Sequence, residues 1–145
     1  MAKKGKAPKG KSASVSATGI LAKADVGRVK IVVVPKPWGR ETIWAHTDRY
    51  VGKILHIKAG HELSVQYHET KDETVCLLSG ALAYRVGASL EDMQLKVGES
   101  FRIKPGTVHQ MVALTDCEVL EVSTPEVDDV VRLSDKYGRA GTSAP

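Results

Sequence analysis

Two histidines, a glutamine and a glutamate stand at spacings that let their side chains meet. Gln66 and His68 are two apart in 60-GHELSVQYHETKDETVCLLSG-80, and in a strand residues two apart share a face. The next four residues, Glu69-Thr70-Lys71-Asp72, are polar and suit a hairpin loop. Glu73 then opens the return strand, on the same face as Val75 and Leu77. If that face is interior, a carboxylate enters an apolar barrel, which is costly without a partner. A metal ion is one such partner; lysine, arginine and a proton are others. A second block, 98-GESFRIKPGTVHQ-110, puts His109 just after a Pro-Gly turn. Imidazole, amide oxygen and carboxylate form a mixed nitrogen and oxygen donor set. It suits a divalent ion such as Zn, Mn, Fe, Co or Ni, and does not suit Cu(I) or an iron–sulfur cluster. Three or four protein donors leave positions for water or substrate oxygens.

The elements that must position these residues read as strands. The run 29-VKIVVV-34 is β-branched, and PKPWG (35–39) turns the chain. ETIWAH (41–46), YVGKILHIK (50–58), ELSVQYH, ETVCLLS, ALAYRV, MQLKV, SFRI, VHQMVAL and CEVLEVST follow, separated by Gly, Pro and Asp turn signals. No stretch of twelve residues keeps a 3.6 period; only 126-EVDDVVRLSDKYG-138 offers a helical turn or two. The fold class is therefore all-β, a sandwich or barrel. By alternation, Tyr67 faces away from Gln66 and His68. His56, in ILHIK, reads as a packed strand residue and not as a donor.

The chain has 145 residues, enough for one domain with a core. No apolar run approaches the eighteen or so residues of a membrane span. The basic start has no apolar stretch behind it, so it is not a secretory signal. Cys76 and Cys117 form no C-x-x-C pair and read as small buried hydrophobes of a reducing, cytoplasmic setting. The net charge of +4 sits in the tail: residues 1–28 carry seven Lys/Arg and one acid, leaving the rest at −2. That charge argues against a nucleic-acid groove in the folded body; the tail is the part that could touch nucleic acid or an acidic surface. The expected organisation is a disordered basic tail at 1–27, one β domain at 28–139 and a loose end at 140–145.

The two blocks resemble the paired motifs of the cupin superfamily. The first follows G-x5-[H/Q]-x-H-x4-E-x6-G at Gly60, Gln66, His68, Glu73 and Gly80. The second approximates G-x5-P-x-G-x2-H at Gly98, Gly106 and His109, with Lys104 where proline is usual. The resemblance implies a double-stranded β-helix, or jelly-roll barrel, holding a divalent metal on Gln66, His68, Glu73 and His109. Over most of residues 35–139, KPWGRE, AGHELSVQYH, VGESFRIKPGTVHQ and VDDVVRLSDKYGR are similar to the cupin domain of type II mannose-6-phosphate isomerases. That likeness implies an aldose–ketose isomerase acting on a sugar or sugar phosphate through an enediolate. It does not imply nucleotide-sugar synthesis, which belongs to a further domain of the larger members.

The family commonly has further histidines and an arginine in the loop, where this chain has Glu69-Thr70-Lys71-Asp72. It also has arginine after the second-motif histidine, where this chain has Gln110. The remaining phosphate candidates are Lys71, Arg102, Lys104 and Arg132, with Arg139 beside them in the closing motif. Proton-carrier candidates are Glu69, His61 and Lys71. A non-catalytic sugar- or metal-binding cupin and a three-histidine dioxygenase are the competing functions. Similar cupins pair through edge strands, so the resemblance implies a homodimer, with the apolar run VKIVVV to be covered.

Overall fold

The computed structural model describes residues 27–142, and among them every regular element is a strand. The expected basic tail, Gly27 apart, and the last three residues of the expected loose end lie outside the described residues. The strands are β1 (Val32–Lys36), β2 (Gly39–His46), β3 (Val51–Ile57), β4 (Val65–Tyr67), β5 (Glu73–Ser79), β6 (Leu82–Val86), β7 (Glu91–Leu95), β8 (Ser100–Ile103), β9 (His109–Ala113), β10 (Cys117–Ser123), β11 (Val131–Ser134) and β12 (Gly141–Thr142). They form two antiparallel sheets, ordered β1-β2-β3-β10-β5-β8 and β12-β11-β4-β9-β6-β7. This is the double-stranded barrel that the strand pattern and the resemblance imply. No helix among the described residues is long and apolar enough to cross a membrane.

Period-two alternation decides what points inward. On β5, Glu73, Val75 and Leu77 are buried while Thr74 and Leu78 are exposed. On β10, Cys117, Val119, Glu121 and Ser123 are buried and Glu118 and Val122 are not. The inner face of the first sheet therefore changes character along its strands. At one end Leu55, Ile57, Val75, Leu77 and Val119 join Leu82, Leu95, Ile103 and Met111 in the apolar core. At the other end the same faces carry Lys53, Glu73 and Glu121, all buried. The apolar half stabilises the barrel by burial; the polar half is where chemistry can occur.

The closing segment departs from the sequence reading. Residues 126–138 contain no helix: Val131 pairs with Tyr67 and Arg132 with Gln66, making β11 a neighbour of β4. Tertiary pairing of a β-branched stretch outweighs its weak local preference. Gly141 and Thr142, at the start of the segment expected to be loose, pair with Arg132 and Val131.

Gly80, the last glycine of the first motif, has φ +88°, and a Cβ there would lie 2.2 Å from the Asp116 carbonyl oxygen. Backbone cannot yield as a flexible side chain can. Gly80→Ala is expected to cost about 3 kcal/mol or more, seen as a fall of roughly 12 °C or more in the melting temperature. A thermal transition unchanged by the substitution would refute this account of the glycine.

Candidate metal centre

Three elements bring the centre together. His68 follows β4, Glu73 opens β5 and His109 opens β9. The Nδ1 of His109 lies 2.9 Å from the Thr107 carbonyl oxygen, and the Nδ1 of His68 meets the Asp129 carbonyl oxygen. Carbonyls only accept, so each Nδ1 carries a hydrogen and donates it. In the neutral rings each Nε2 then presents a lone pair. Those two nitrogens lie 3.5 and 3.3 Å from the same Glu73 oxygen, Oε1. Neither Nε2 has a hydrogen-bond partner, although both are fully buried.

Three acceptors thus face one another in a space closed to water, with donor atoms all within 4.8 Å. Such a set is unfavourable unless a cation sits among the lone pairs or the rings take up protons. The donor types and their carbonyl-fixed imidazoles fit a divalent metal. Burial pushes the Glu73 carboxyl up, but the His109 and His68 rings, when they carry a proton on Nε2, and the Lys71 ammonium outweigh it and hold it well below its ordinary value. Gln66, the fourth expected donor, pairs with His109 across β4 and β9 and lines one cavity with His68. Its Oε1 accepts from Ser64 Oγ at 2.6 Å, so Gln66 stands beside the three converging donors with its oxygen already engaged.

No third imidazole joins the centre among the described residues. His56 is on β3 but turns to the outer face of its sheet, between Thr42 at 3.1 Å and Glu118 at 3.0 Å. The Nδ1 of His61 meets the Tyr137 hydroxyl at 2.9 Å, and His46 is exposed.

A cavity of about 70 Å³ opens beside His68. Five cations line it, Lys36, Lys53, Lys71, Arg132 and Arg139, against two carboxylates, Glu41 and Glu121. Lys71 Nζ lies 2.5 Å from Glu73 Oε2 and 2.8 Å from Glu121 Oε1. Burial would lower the Lys71 ammonium, but Glu121 and Glu73 outweigh it and hold it above its ordinary value. Lys53 bridges Glu41 at 3.5 Å and Glu121 at 3.9 Å. Arg139 forks onto Asp135. Arg132 is different: its Nε is buried without a hydrogen-bond partner. Burial, and then Arg139, lower its guanidinium from the ordinary value.

The other expected residues lie elsewhere. Arg102 is bound to the Asp72 carboxylate through Nε and Nη2, Lys104 is exposed in a turn, and neither lines the cavity. Glu69 is exposed and His61 is tied to Tyr137, so Lys71 is the proton-carrier candidate that reaches the cavity wall. Sequence reasoning missed Glu121 and Asp129. Glu121 was open to inference, because it shares a face with Val119. Asp129 carried no local signal: its carboxylate accepts the backbone N–H groups of Glu69, Thr70 and Lys71 from sixty residues away.

The chain matches the protein family described as Mannose-6-phosphate isomerase C-terminal over residues 25–135. Mannose-1-phosphate guanylyltransferase of Escherichia coli (strain K12) is 33% identical over 111 residues, which cover 73% of this chain and 23% of that protein. Mannose-1-phosphate guanylyltransferase ManC of Salmonella typhimurium is 35% identical over the same shares. The chain therefore spans about a quarter of the length of these relatives. Among solved structures, KdgF from Halomonas sp. aligns with TM-score 0.59 at 25% identity, covering 70% of this chain and 92% of that one. An RmlC-like cupin from Shewanella frigidimarina aligns with TM-score 0.60 at 15% identity, covering 69% and 88%; at that identity the likeness concerns the fold alone.

Proposed function

Because the chain belongs to the mannose-6-phosphate isomerase C-terminal family, a family of cupin domains, we propose that it holds a divalent metal on His68, Glu73 and His109, with Gln66 beside them, and interconverts an aldose and a ketose phosphate of the mannose 6-phosphate kind. The convergence of two imidazole lone pairs and one carboxylate oxygen, at the foot of a cation-rich cavity, is the observation that carries this reading.

The reaction moves a proton between C1 and C2 and develops negative charge on the enediolate oxygens. The metal, when bound, supplies Lewis-acid stabilisation of that charge. Lys71 stays charged between Glu73 and Glu121 and adds a fixed positive field; a held ammonium of this kind is no base. The proton carrier must reach the cavity, which leaves Glu121 and Glu41 as its carboxylates. Arg132, whose guanidinium has an open donor, holds the phosphate, with Lys36 and Arg139 beside it.

The test is conversion of mannose 6-phosphate to fructose 6-phosphate by the metal-loaded chain. Arg132→Ala is expected to raise KM roughly tenfold or more with metal content unchanged, because it removes a charge-assisted contact of about 1.5–3 kcal/mol. A non-catalytic binder of anionic sugars is the second reading, favoured by the small cavity and by Gln110 where the family has arginine. Metal bound and sugar phosphate bound without turnover would establish it. We propose also that two copies pair through the edge strand β1, whose approach leaves Ile31 and Val33 more than half exposed. A mass of one chain in light scattering at micromolar concentration would refute the pairing.

A further inference from the structure

Lys71 belongs to a polar four-residue loop, yet only 4% of its surface is exposed. Its ammonium turns into the barrel and takes one oxygen of Glu73, Oε2, at 2.5 Å. The other oxygen, Oε1, faces His68 Nε2 and His109 Nε2. One carboxylate is thus divided, with one oxygen on an ammonium and one on the donor set. Glu121 Oε1, at 2.8 Å, anchors the same ammonium from β10, and Lys53 stands 3.9 Å from that oxygen.

We propose that Lys71 is an internal counter-cation that shares Glu73 with the metal: it holds Oε2, leaves Oε1 alone for the ion, and sets the affinity of the centre below what the same donors would reach without it. The inference rests on the metal reading above. Two cations on one buried carboxylate repel each other where water screens them poorly. Glu121 makes the arrangement tolerable, since it supplies the ammonium with a second carboxylate. The counter-cation role and a merely structural one predict opposite signs. If Lys71 only braced Glu73, its removal would loosen a donor and weaken metal binding. As a counter-cation, its removal strengthens binding, because Glu73 is then left to the ion alone, while Glu121 keeps Lys53.

The experiment is competition for Zn²⁺, and separately Co²⁺, between a chromophoric chelator and the full-length chain. Lys71→Met is expected to bind either ion roughly tenfold or more tightly than wild type. Its Co²⁺ absorption spectrum should also change, because both oxygens of Glu73 become free. Glu121→Gln is expected to weaken binding, since the ammonium then leans on Glu73 alone. Lys71→Arg, which keeps the charge, should stay within about threefold of wild type. Equal or weaker binding by folded Lys71→Met overturns the proposal, and so does tighter binding by Glu121→Gln if Lys71→Met does not fold. Binding by Lys71→Met but not by wild type would support it. Absence of binding in wild type and in both variants would overturn the metal reading, and this proposal with it.

Discussion

Wild-type protein purified without added ions is expected to carry about one divalent ion per chain, and His109→Ala or His68→Ala protein none. Each imidazole is fixed through Nδ1 on a main-chain carbonyl, so its Nε2 is aimed before any ion arrives. Preorganised donors are worth more than flexible ones, and even loss of an outer hydrogen bond lowers metal affinity about 10- to 100-fold. Loss of a whole donor from a set of three exceeds that. The substitution should act on binding far more than on folding, because it removes one of three mutually repelling lone pairs. A chelator should therefore lower the melting temperature of wild type, by removing about 4 kcal/mol of stabilisation if the ion is present at a thousand times its Kd. It should leave that of His109→Ala unchanged. Elemental analysis with thermal unfolding checks both halves. Stoichiometric metal in His109→Ala would remove this residue from the centre.

Most of that centre was legible because strands obey a period of two. Gln66 and His68 share a face, a four-residue loop reverses the chain, and Glu73 returns on the face of Val75 and Leu77. The same rule, applied further, separates the basic candidates: Phe101 and Ile103 turn inward, so Arg102 turns out, where it meets Asp72. It also turns Glu121 inward with Val119. What the rule could not reach is anything fixed between segments distant in sequence. Lys71 reads as a loop residue because four polar residues in a row read as exposed. It is buried because two glutamates from separate strands await its ammonium. The strand at Val131–Ser134 is likewise made by its neighbour β4, and not by a pattern of its own.

Asp129 is the residue on which that long-range fixing turns, and Asp129→Ala is expected to disturb the loop and the donor set together. Its carboxylate accepts the N–H groups of Glu69, Thr70 and Lys71 at 2.9, 2.6 and 2.7 Å, while its carbonyl oxygen accepts from the His68 ring. One residue of the closing segment therefore sets the path of the loop, the burial of Lys71 and the orientation of a metal donor. Three hydrogen bonds to a charged acceptor at a partly exposed site are worth about 3 kcal/mol together, a fall of roughly 12 °C in melting temperature for a domain of this size. Burial pushes the Asp129 carboxyl up, but the N–H groups of Glu69, Lys71 and Thr70 outweigh it and hold it below its ordinary value. A carboxyl lowered by folding stabilises fully above its unfolded pKa, about 3.9, and loses that contribution as pH falls through the lower folded value. Urea unfolding should therefore find the gap between wild type and Asp129→Ala constant from about pH 6 upward and shrinking below about pH 4. Alanine keeps the main-chain carbonyl to which His68 donates, so metal affinity falls in the same variant only as far as the closing segment shifts and releases the ring. Stability lost with affinity unchanged would mean that the Asp129 carboxylate holds the loop without holding the donor, and that the backbone of the closing segment suffices to aim the ring.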